Sequence, residues 1–155
     1  MKISDFLIAL CLISSFNICL FAQTSSKKNE LSLINRSSQE TYKSSPAFAE
    51  IILRKTELDS ELESLLVSYT EEFPKVKEIR FESDSLKKAI ERLSTVKSAD
   101  SSKLTLALGK LMIRKAELET DLWNLRKKYD DNHAEVKRAK RKIEIYEASI
   151  REILD

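Results

Sequence analysis

The sequence predicts an all-α protein of antiparallel coiled-coil helices, arranged as two αα-hairpin repeats in series. Three observations predict this fold. The 155 residues include one Gly and two Pro, and 34% of them are charged, as is typical of long solvated helices. Apolar side chains recur at heptad spacing. A stretch of 23 residues at 54–76, RKTELDSELESLLVSYTEEFPKV, returns sixty residues later at 114–136 as RKAELETDLWNLRKKYDDNHAEV.

The N-terminal 45 residues precede the predicted helices. Residues 1–22 contain Lys2 and an apolar run that ends near Ala22, which is the pattern of a secretory signal peptide. An uncleaved membrane anchor is the alternative, because about 17 mostly apolar residues are at the short end for a membrane span. Both cysteines, Cys11 and Cys19, lie in this segment, so the chain after it cannot form a disulfide. Residues 23–45 are rich in Ser, Lys and Asn and predict a flexible polar linker.

The first helical repeat is predicted at 46–97. Ser45 is a good N-cap, and Pro46 suits the first helical position, where its missing amide hydrogen costs nothing. Apolar residues then follow two seam positions of a heptad, interrupted at Glu72. The first seam position is held by Ile51, Leu58, Leu65, Ile79, Leu86 and Leu93, and the second by Leu62, Tyr69, Val76 and Ile90.

The second helical repeat, at 104–155, keeps the same phase after a polar loop at 98–103. Asp100, Ser101 or Ser102 is expected to cap its first helix. Gly109 inside that helix costs about 1 kcal/mol relative to Ala. A close contact with another helix is one reason for a glycine there, and simple tolerance of it is the alternative. The corresponding seam residues are Leu111, Leu118, Leu125, Ala139, Tyr146 and Ile153 at one position, and Leu122, Tyr129, Val136, Ile143 and Ile150 at the other.

The two repeats carry opposite net charge. Residues 50–93 contain 8 Lys/Arg and 11 Asp/Glu, a net charge of −3, and residues 110–154 contain 12 and 9, a net charge of +3. Opposite charge favours packing of one repeat against the other, weakly and in a salt-dependent way. Two solvated faces of uneven charge are an equal alternative.

Turns are predicted inside each repeat, at 70–73 and 130–133. Pro74 disfavours helical geometry at the preceding residue and removes a helical hydrogen bond. Asp130, Asp131 and Asn132 are likewise better helix caps than interior residues. The alternative is one hairpin of two long helices, at 46–97 and 103–154, which the unbroken heptad favours.

The turn motif resembles a known family. It consists of a Tyr, a few polar residues, an aromatic residue or His, a Pro, and then a Val before a basic helix. This pattern is similar to the periplasmic coiled-coil region of bacterial polysaccharide co-polymerases. The motif residues are Tyr69, Phe73, Pro74 and Val76, and in the second copy Tyr129, His133, Ala134 and Val136. The resemblance implies a hairpin tip between antiparallel helices. Phe73 and Ala134 depart from the usual His and Pro, and the family's flanking transmembrane helices and kinase region have no counterpart, so a complete co-polymerase is not expected.

A few single residues are candidates for more than packing. His133 is the one histidine, and with nearby carboxylates it lacks the ligand set of a zinc site, so capping or turn packing is expected. Trp123 is expected to pack on a neighbouring helix, with a partner surface as the alternative. Tyr69 and Tyr129 are expected to pack in the seam.

The densest basic patch lies in the second repeat. It consists of Lys137, Arg138, Lys140, Arg141 and Lys142. Pairing with the acidic first repeat is the favoured interpretation, and binding of an anionic polysaccharide or envelope component is the alternative.

These observations predict a non-catalytic helical scaffold or adaptor of the bacterial cell envelope, in the periplasm or secreted. The resemblance implies a link to polysaccharide assembly or export. No nucleophile, base or phosphate-binding arrangement is visible, so no enzymatic activity, cofactor or metal is expected, and export argues against nucleic acid. Protein partners and self-association are expected. A periplasmic holdase chaperone and a coiled-coil spacer, held at the membrane if residues 1–22 are retained, are the alternatives.

Overall fold

The structure, a computed structural model, describes residues 42–155. The predicted signal peptide and nearly all of the predicted linker lie outside the described residues. Within residues 42–155, four α-helices of 21 residues each follow one another, with a short 3₁₀ helix between the second and the third. The elements are α1 (Pro46–Leu66), α2 (Pro74–Ser94), the 3₁₀ helix (Ser98–Lys103), α3 (Leu106–Arg126) and α4 (Ala134–Leu154).

The chain reverses direction between α1 and α2 and again between α3 and α4. Residues 67–73 and 127–133 form these turns, and Pro74 and Ala134 are the first residues of the helices that follow. The prediction of two αα-hairpins in series is therefore confirmed, and the alternative of two long helices is wrong. We refer to α1 and α2 as hairpin 1, and to α3 and α4 as hairpin 2.

Side-chain caps fix the start of each hairpin. Ser45 Oγ accepts a hydrogen bond from the Phe48 amide at 3.2 Å, which confirms the predicted cap of α1. The cap of α3 is Thr105, whose Oγ1 accepts from the Leu108 amide at 3.3 Å. The expectation that a residue at 100–102 caps this helix is wrong, because those residues belong to the 3₁₀ helix that replaces the predicted loop.

The central helix of the fold is α3. Within each hairpin the two helices pack along each other, and α3 also packs on both α1 and α2. Hairpin 2 therefore stacks on hairpin 1 with α3 against the groove between α1 and α2. Since α3 has three helical neighbours, it buries more than a narrow seam, and its buried side chains are those of Leu108, Met112, Ala116, Leu118 and Thr120.

The predicted seam is better buried in hairpin 1 than in hairpin 2. Ile51, Leu58, Ile79, Leu86 and Leu93 are at most 2% exposed. In hairpin 2 the buried seam residues are Leu118, Val136, Ala139 and Ile150, and the other apolar seam residues are half-buried apart from Tyr129. The difference arises because α4 has fewer helical neighbours than α2.

Gly109 marks the closest approach of α1 and α3. A Cβ atom at this position would lie 2.9 Å from the carbonyl oxygen of Ala47 and 3.1 Å from Cβ of Glu50. The predicted close helix contact is confirmed. Beside it, the Ala47 amide donates to the carbonyl oxygen of Leu104 at 3.2 Å, so the chain entering hairpin 2 satisfies a free amide in the first turn of α1.

Candidate functional site

The two hairpin tips have the same construction. The Tyr69 and Phe73 rings stack with centroids 4.1 Å apart, and the Tyr129 and His133 rings stack at 4.0 Å. Tyr69 is 48% exposed and Tyr129 is 42% exposed. The expectation that these tyrosines pack in the seam is therefore wrong, because each ring lies on the last turn residue instead of between the helices.

The other motif residues start and anchor the second helix of each hairpin. Val76 and Val136 are fully buried at equivalent positions, one turn after the tip. His133 caps α4, because its Nδ1 accepts a hydrogen bond from the Glu135 amide at 3.3 Å. The prediction of capping and turn packing for His133 is confirmed.

An ion pair repeats at each tip. Asp131 in the second turn pairs with Arg126 at 2.9 Å and with Lys140 at 3.2 Å. Hydrogen bonds from these two cations hold the pKa of the Asp131 carboxyl below its usual value. In the first turn, Glu71 pairs with Arg80, at positions sixty residues before Asp131 and Lys140. The repeat therefore preserves tip contacts as well as seam positions.

Trp123 joins the two hairpins. Its ring stacks on Phe81 of α2, with centroids 5.1 Å apart, and Lys127 Nζ lies 3.0 Å from the centre of the indole. The neighbouring Asn124 Nδ2 donates to Glu78 Oε2 at 2.9 Å. Packing of Trp123 on a neighbouring helix is therefore confirmed.

The basic patch of α4 does not contact hairpin 1. Its ion pairs stay within hairpin 2 and are exposed, so the prediction that the patch pairs with the acidic first repeat is wrong within the described chain. These pairs are Arg138 with Glu135 at 2.9 Å, Lys140 with Asp131 at 3.2 Å and Arg141 with Glu144 at 3.3 Å. Lys137 and Lys142 make no ion pair among residues 42–155. Stacking of the hairpins directs this side of α4 away from α1 and α2.

An open groove of about 500 Å³ lies along α3, between α2 and α4. It exists because α3 packs on both of these helices, whereas α2 and α4 do not pack along each other. Apolar side chains from all three helices line it, including Phe81, Ala89, Met112, Leu122, Trp123 and Ile150. Along α2 the groove extends from Phe81 to Arg92, about 16 Å at 1.5 Å per residue.

Charged side chains surround this apolar lining. Four of them are basic, and one is acidic: Lys88, Arg92, Lys115, Arg126 and Glu119. Lys115 pairs with Glu119 at 2.8 Å. The groove therefore combines apolar surface with a rim that is basic in balance.

Glu147 of α4 bridges the rim. It accepts a hydrogen bond from Arg92 of α2 at 2.8 Å and lies 3.3 Å from Lys115 of α3. Partial burial raises the pKa of the Glu147 carboxyl, but the hydrogen bond from Arg92 and the charges of both cations outweigh it and leave that pKa below its usual value. Among residues 42–155, the pair of Glu147 with Arg92 is the ion pair that joins the two hairpins.

The groove was not identified from the sequence. A signal for it is present at 111–113, where three adjacent apolar residues in α3 indicate contact with more than one neighbour. Met112 is buried among the helices, and Leu111 and Ile113 pack against the core. The periodicity of the sequence identifies residues 111–113 as apolar, but it does not show whether the neighbouring helices cover them or leave a groove beside them.

No family model, curated protein or solved structure matches this chain. The resemblance to polysaccharide co-polymerases therefore stays a prediction. Among residues 42–155, no group of three or more His, Cys, Asp or Glu side chains is placed to hold a metal ion. Within the same range, no helix is both long and apolar enough to cross a membrane.

Proposed function

We propose that this chain is an exported, non-catalytic helical adaptor of the bacterial cell envelope, and that it binds a protein partner in the groove along α3. The groove is the observation that carries this proposal. It exposes apolar side chains from three helices in one continuous depression, on a surface that is otherwise highly charged.

The dimensions of the groove support a helical partner. The groove is open along about three helical turns, which is the length over which an amphipathic helix presents its anchors at positions i, i+3, i+4 and i+7. An added helix would pack on α2, α3 and α4 as α3 itself packs on α1 and α2.

The charged groups of the groove support binding over catalysis. Arg92, Lys115 and Glu119 are held in ion pairs within the rim or just outside it. They fix the helices relative to one another and provide an edge that attracts acidic side chains. His133 lies at the tip of hairpin 2 and is not among the groove's lining residues.

Site-specific photo-crosslinking tests the proposal. A photoreactive amino acid at position 88, in the groove, is expected to form one dominant adduct in envelope preparations. The same group at position 91 is the matched control, because Glu91 is on the same helix, is exposed and does not line the groove. Ala116→Trp, which fills the groove, is expected to abolish the adduct.

Ala89→Trp provides a second way to fill the groove, in case the first variant does not fold. Circular dichroism establishes whether each variant is helical. Equal adducts from positions 88 and 91, or an adduct that survives both folded tryptophan variants, would show that the groove is not the binding surface.

The envelope location and the polysaccharide link are proposed on the sequence. The mass of the intact exported chain shows whether residues 1–22 are removed. A clean deletion strain with unchanged capsule and exopolysaccharide would exclude the polysaccharide link, while leaving the adaptor proposal to the crosslinking experiment.

A further inference from the structure

The contact between the hairpins is head to tail. Hairpin 2 uses one face of α3 to pack on hairpin 1, with Gly109 close to Ala47 and Trp123 stacked on Phe81. Two similar units in a head-to-tail contact leave one equivalent face of each unit uncovered. Here these are the outer face of hairpin 1, mainly α1, and a face of α3 and α4 in hairpin 2.

The sixty-residue offset identifies the side chains on the two uncovered faces. Position 123 corresponds to Glu63 and position 81 to Arg141. The two positions that form an aromatic stack inside the chain therefore carry opposite charges on the uncovered faces, Glu63 on hairpin 1 and Arg141 on hairpin 2.

The ion pair that joins the hairpins also has an oppositely charged counterpart. Arg92 of hairpin 1 pairs with Glu147 of hairpin 2 at 2.8 Å. At the sixty-residue offset, the counterpart of Arg92 is Glu152 in hairpin 2, and the counterpart of Glu147 is Lys87 in hairpin 1. Both charges change sign, so the attraction between the two positions is preserved.

The hydrogen bond between the hairpins also has a counterpart in which one residue donates and the other accepts. Asn124 donates to Glu78 inside the chain, and the counterparts are Ser64 and Arg138. The amide donor is replaced by a hydroxyl, which can accept, and the carboxylate acceptor is replaced by a guanidinium, which donates. Each of these three contacts, the aromatic stack, the ion pair and the hydrogen bond, thus has a complementary counterpart on the uncovered faces.

All of these counterparts are exposed in the chain: Glu63, Ser64, Lys87, Arg138, Arg141 and Glu152. The two glutamates form no ion pair among residues 42–155. The three cations pair only with carboxylates three residues away on their own helix, which contributes little to stability. The charges are therefore accessible to a second molecule.

The face of α4 that carries the arginines also has apolar surface. Ile145 is 57% exposed, whereas its counterpart in hairpin 1, Ser85, is 7% exposed. A depression of about 100 Å³ between α3 and α4 opens beside Arg138. The position of Ser85, which is buried in hairpin 1, is thus exposed to solvent in hairpin 2, where it is occupied by Ile145.

We infer that copies of this chain associate head to tail, with the outer face of hairpin 1 in one copy packed on α3 and α4 of the next. In this contact Glu63 faces Arg141, and Lys87 faces Glu152. The basic patch of α4, which does not contact hairpin 1 within the chain, contacts hairpin 1 of the next copy.

The contact between copies is looser than the one inside the chain. The counterpart of Gly109 in α1 is Ala49, and the counterpart of Ala47 in α3 is Ala107. In the contact between copies, Ala49 would therefore face the backbone of Ala107. At the distances found around Gly109, a Cβ atom is too close to that backbone. The two helices must therefore sit farther apart, and the charges contribute a larger share of the attraction. Association is consequently reversible and salt-dependent.

Sedimentation velocity on the chain as purified from expressing cells tests the inference. At about 0.01 M salt, where the Debye length is about 30 Å, the mean mass is expected to rise with protein concentration. At about 1 M salt, where that length is about 3 Å, the chain is expected to return to the monomer mass. A monomer at every concentration in low salt would overturn the inference.

Charge reversal identifies the faces. Arg141→Glu or Glu63→Arg alone is expected to weaken association about tenfold, because each replaces an attraction with a repulsion. A mixture of the two variants, or one chain carrying both changes, is expected to restore it. Lys77→Glu is the matched control, because it changes the net charge as Arg141→Glu does, at an exposed position whose counterparts take no part in the contact between the hairpins. Equal weakening by the control, or no recovery in the mixture, would show that these faces do not meet.

Ala49→Gly tests the spacing of the helices, because removing this Cβ is expected to tighten association. Unchanged or weaker association of this variant would contradict the proposed approach of α1 to α3 of the next copy. Glu91 lies one turn after Lys87 on the same face of α2, so an adduct at position 91 with a second copy of this chain counts as self-association. The adaptor proposal is tested by adducts with other proteins, which their mass distinguishes.

Discussion

Gly109→Ala tests the contact on which the stacking of the hairpins depends. In an unpacked helix this change would stabilise the protein by about 1 kcal/mol. Here the new Cβ atom would lie 2.9 Å from the oxygen of Ala47 and 3.0 Å from its Cα. Both are backbone atoms, so α1 and α3 must move apart by a few tenths of an ångström. Overpacking of this kind costs about 1–3 kcal/mol, and a net destabilisation of about 1 kcal/mol is expected.

Urea unfolding monitored by circular dichroism measures the effect, at a protein concentration at which the chain is monomeric. Ala49→Gly is the matched control, because Ala49 holds the equivalent position in α1 and is exposed. It is expected to lose about 1 kcal/mol through helix propensity alone. A Gly109→Ala variant that is about 1 kcal/mol more stable than the wild type would refute the close packing of α1 on α3.

Three further predictions concern the core, a cap and the bridging carboxylate. Leu58→Ala is expected to destabilise by about 3 kcal/mol, whereas Leu53→Ala, at a side chain that is 57% exposed, changes stability by less than about 0.5 kcal/mol in the same urea assay. Thr105→Ala is expected to cost about 1 kcal/mol and Ser102→Ala almost nothing; equal losses would contradict the observed cap. Because the folded pKa of Glu147 is depressed, its stabilisation is complete above the unfolded pKa of about 4.3 and is lost as pH falls through the folded pKa. Glu147→Gln is therefore expected to be less stable near pH 7, with a difference from the wild type that shrinks below about pH 4.5; a difference constant down to pH 2 would exclude the ionic contribution.

Local features of the sequence were sufficient to predict the elements. The heptad seam and the sixty-residue repeat predicted the helices, Ser45 and Pro46 predicted the first of them, and Pro74 located a turn. These signals are local, because caps, turns and periodicity act within a few residues. The Thr105 cap was missed because several capping residues precede α3, and the sequence does not show which of them the 3₁₀ helix takes up.

The candidate site could not be predicted in the same way. Trp123 and Met112 were visible as unusual apolar positions, but the groove depends on α3 packing on α1, α2 and α4 while α2 and α4 remain apart. The basic patch shows the same limit. Net charges of opposite sign favoured contact between the repeats, yet the stacking directs Arg138 and Arg141 to the outside.

By itself, the sequence determined the helical class, the repeat and its register, and it favoured turns at 70–73 and 130–133 over two long helices. The tertiary structure decided which helix is central, which charges face each other and where apolar surface stays open. The physical reason is that periodicity specifies which face of a helix is apolar, whereas the neighbour that covers the face is chosen by non-local packing. In this chain that choice depends on contacts as small as the absence of a side chain at Gly109, which lets α3 approach the backbone of α1.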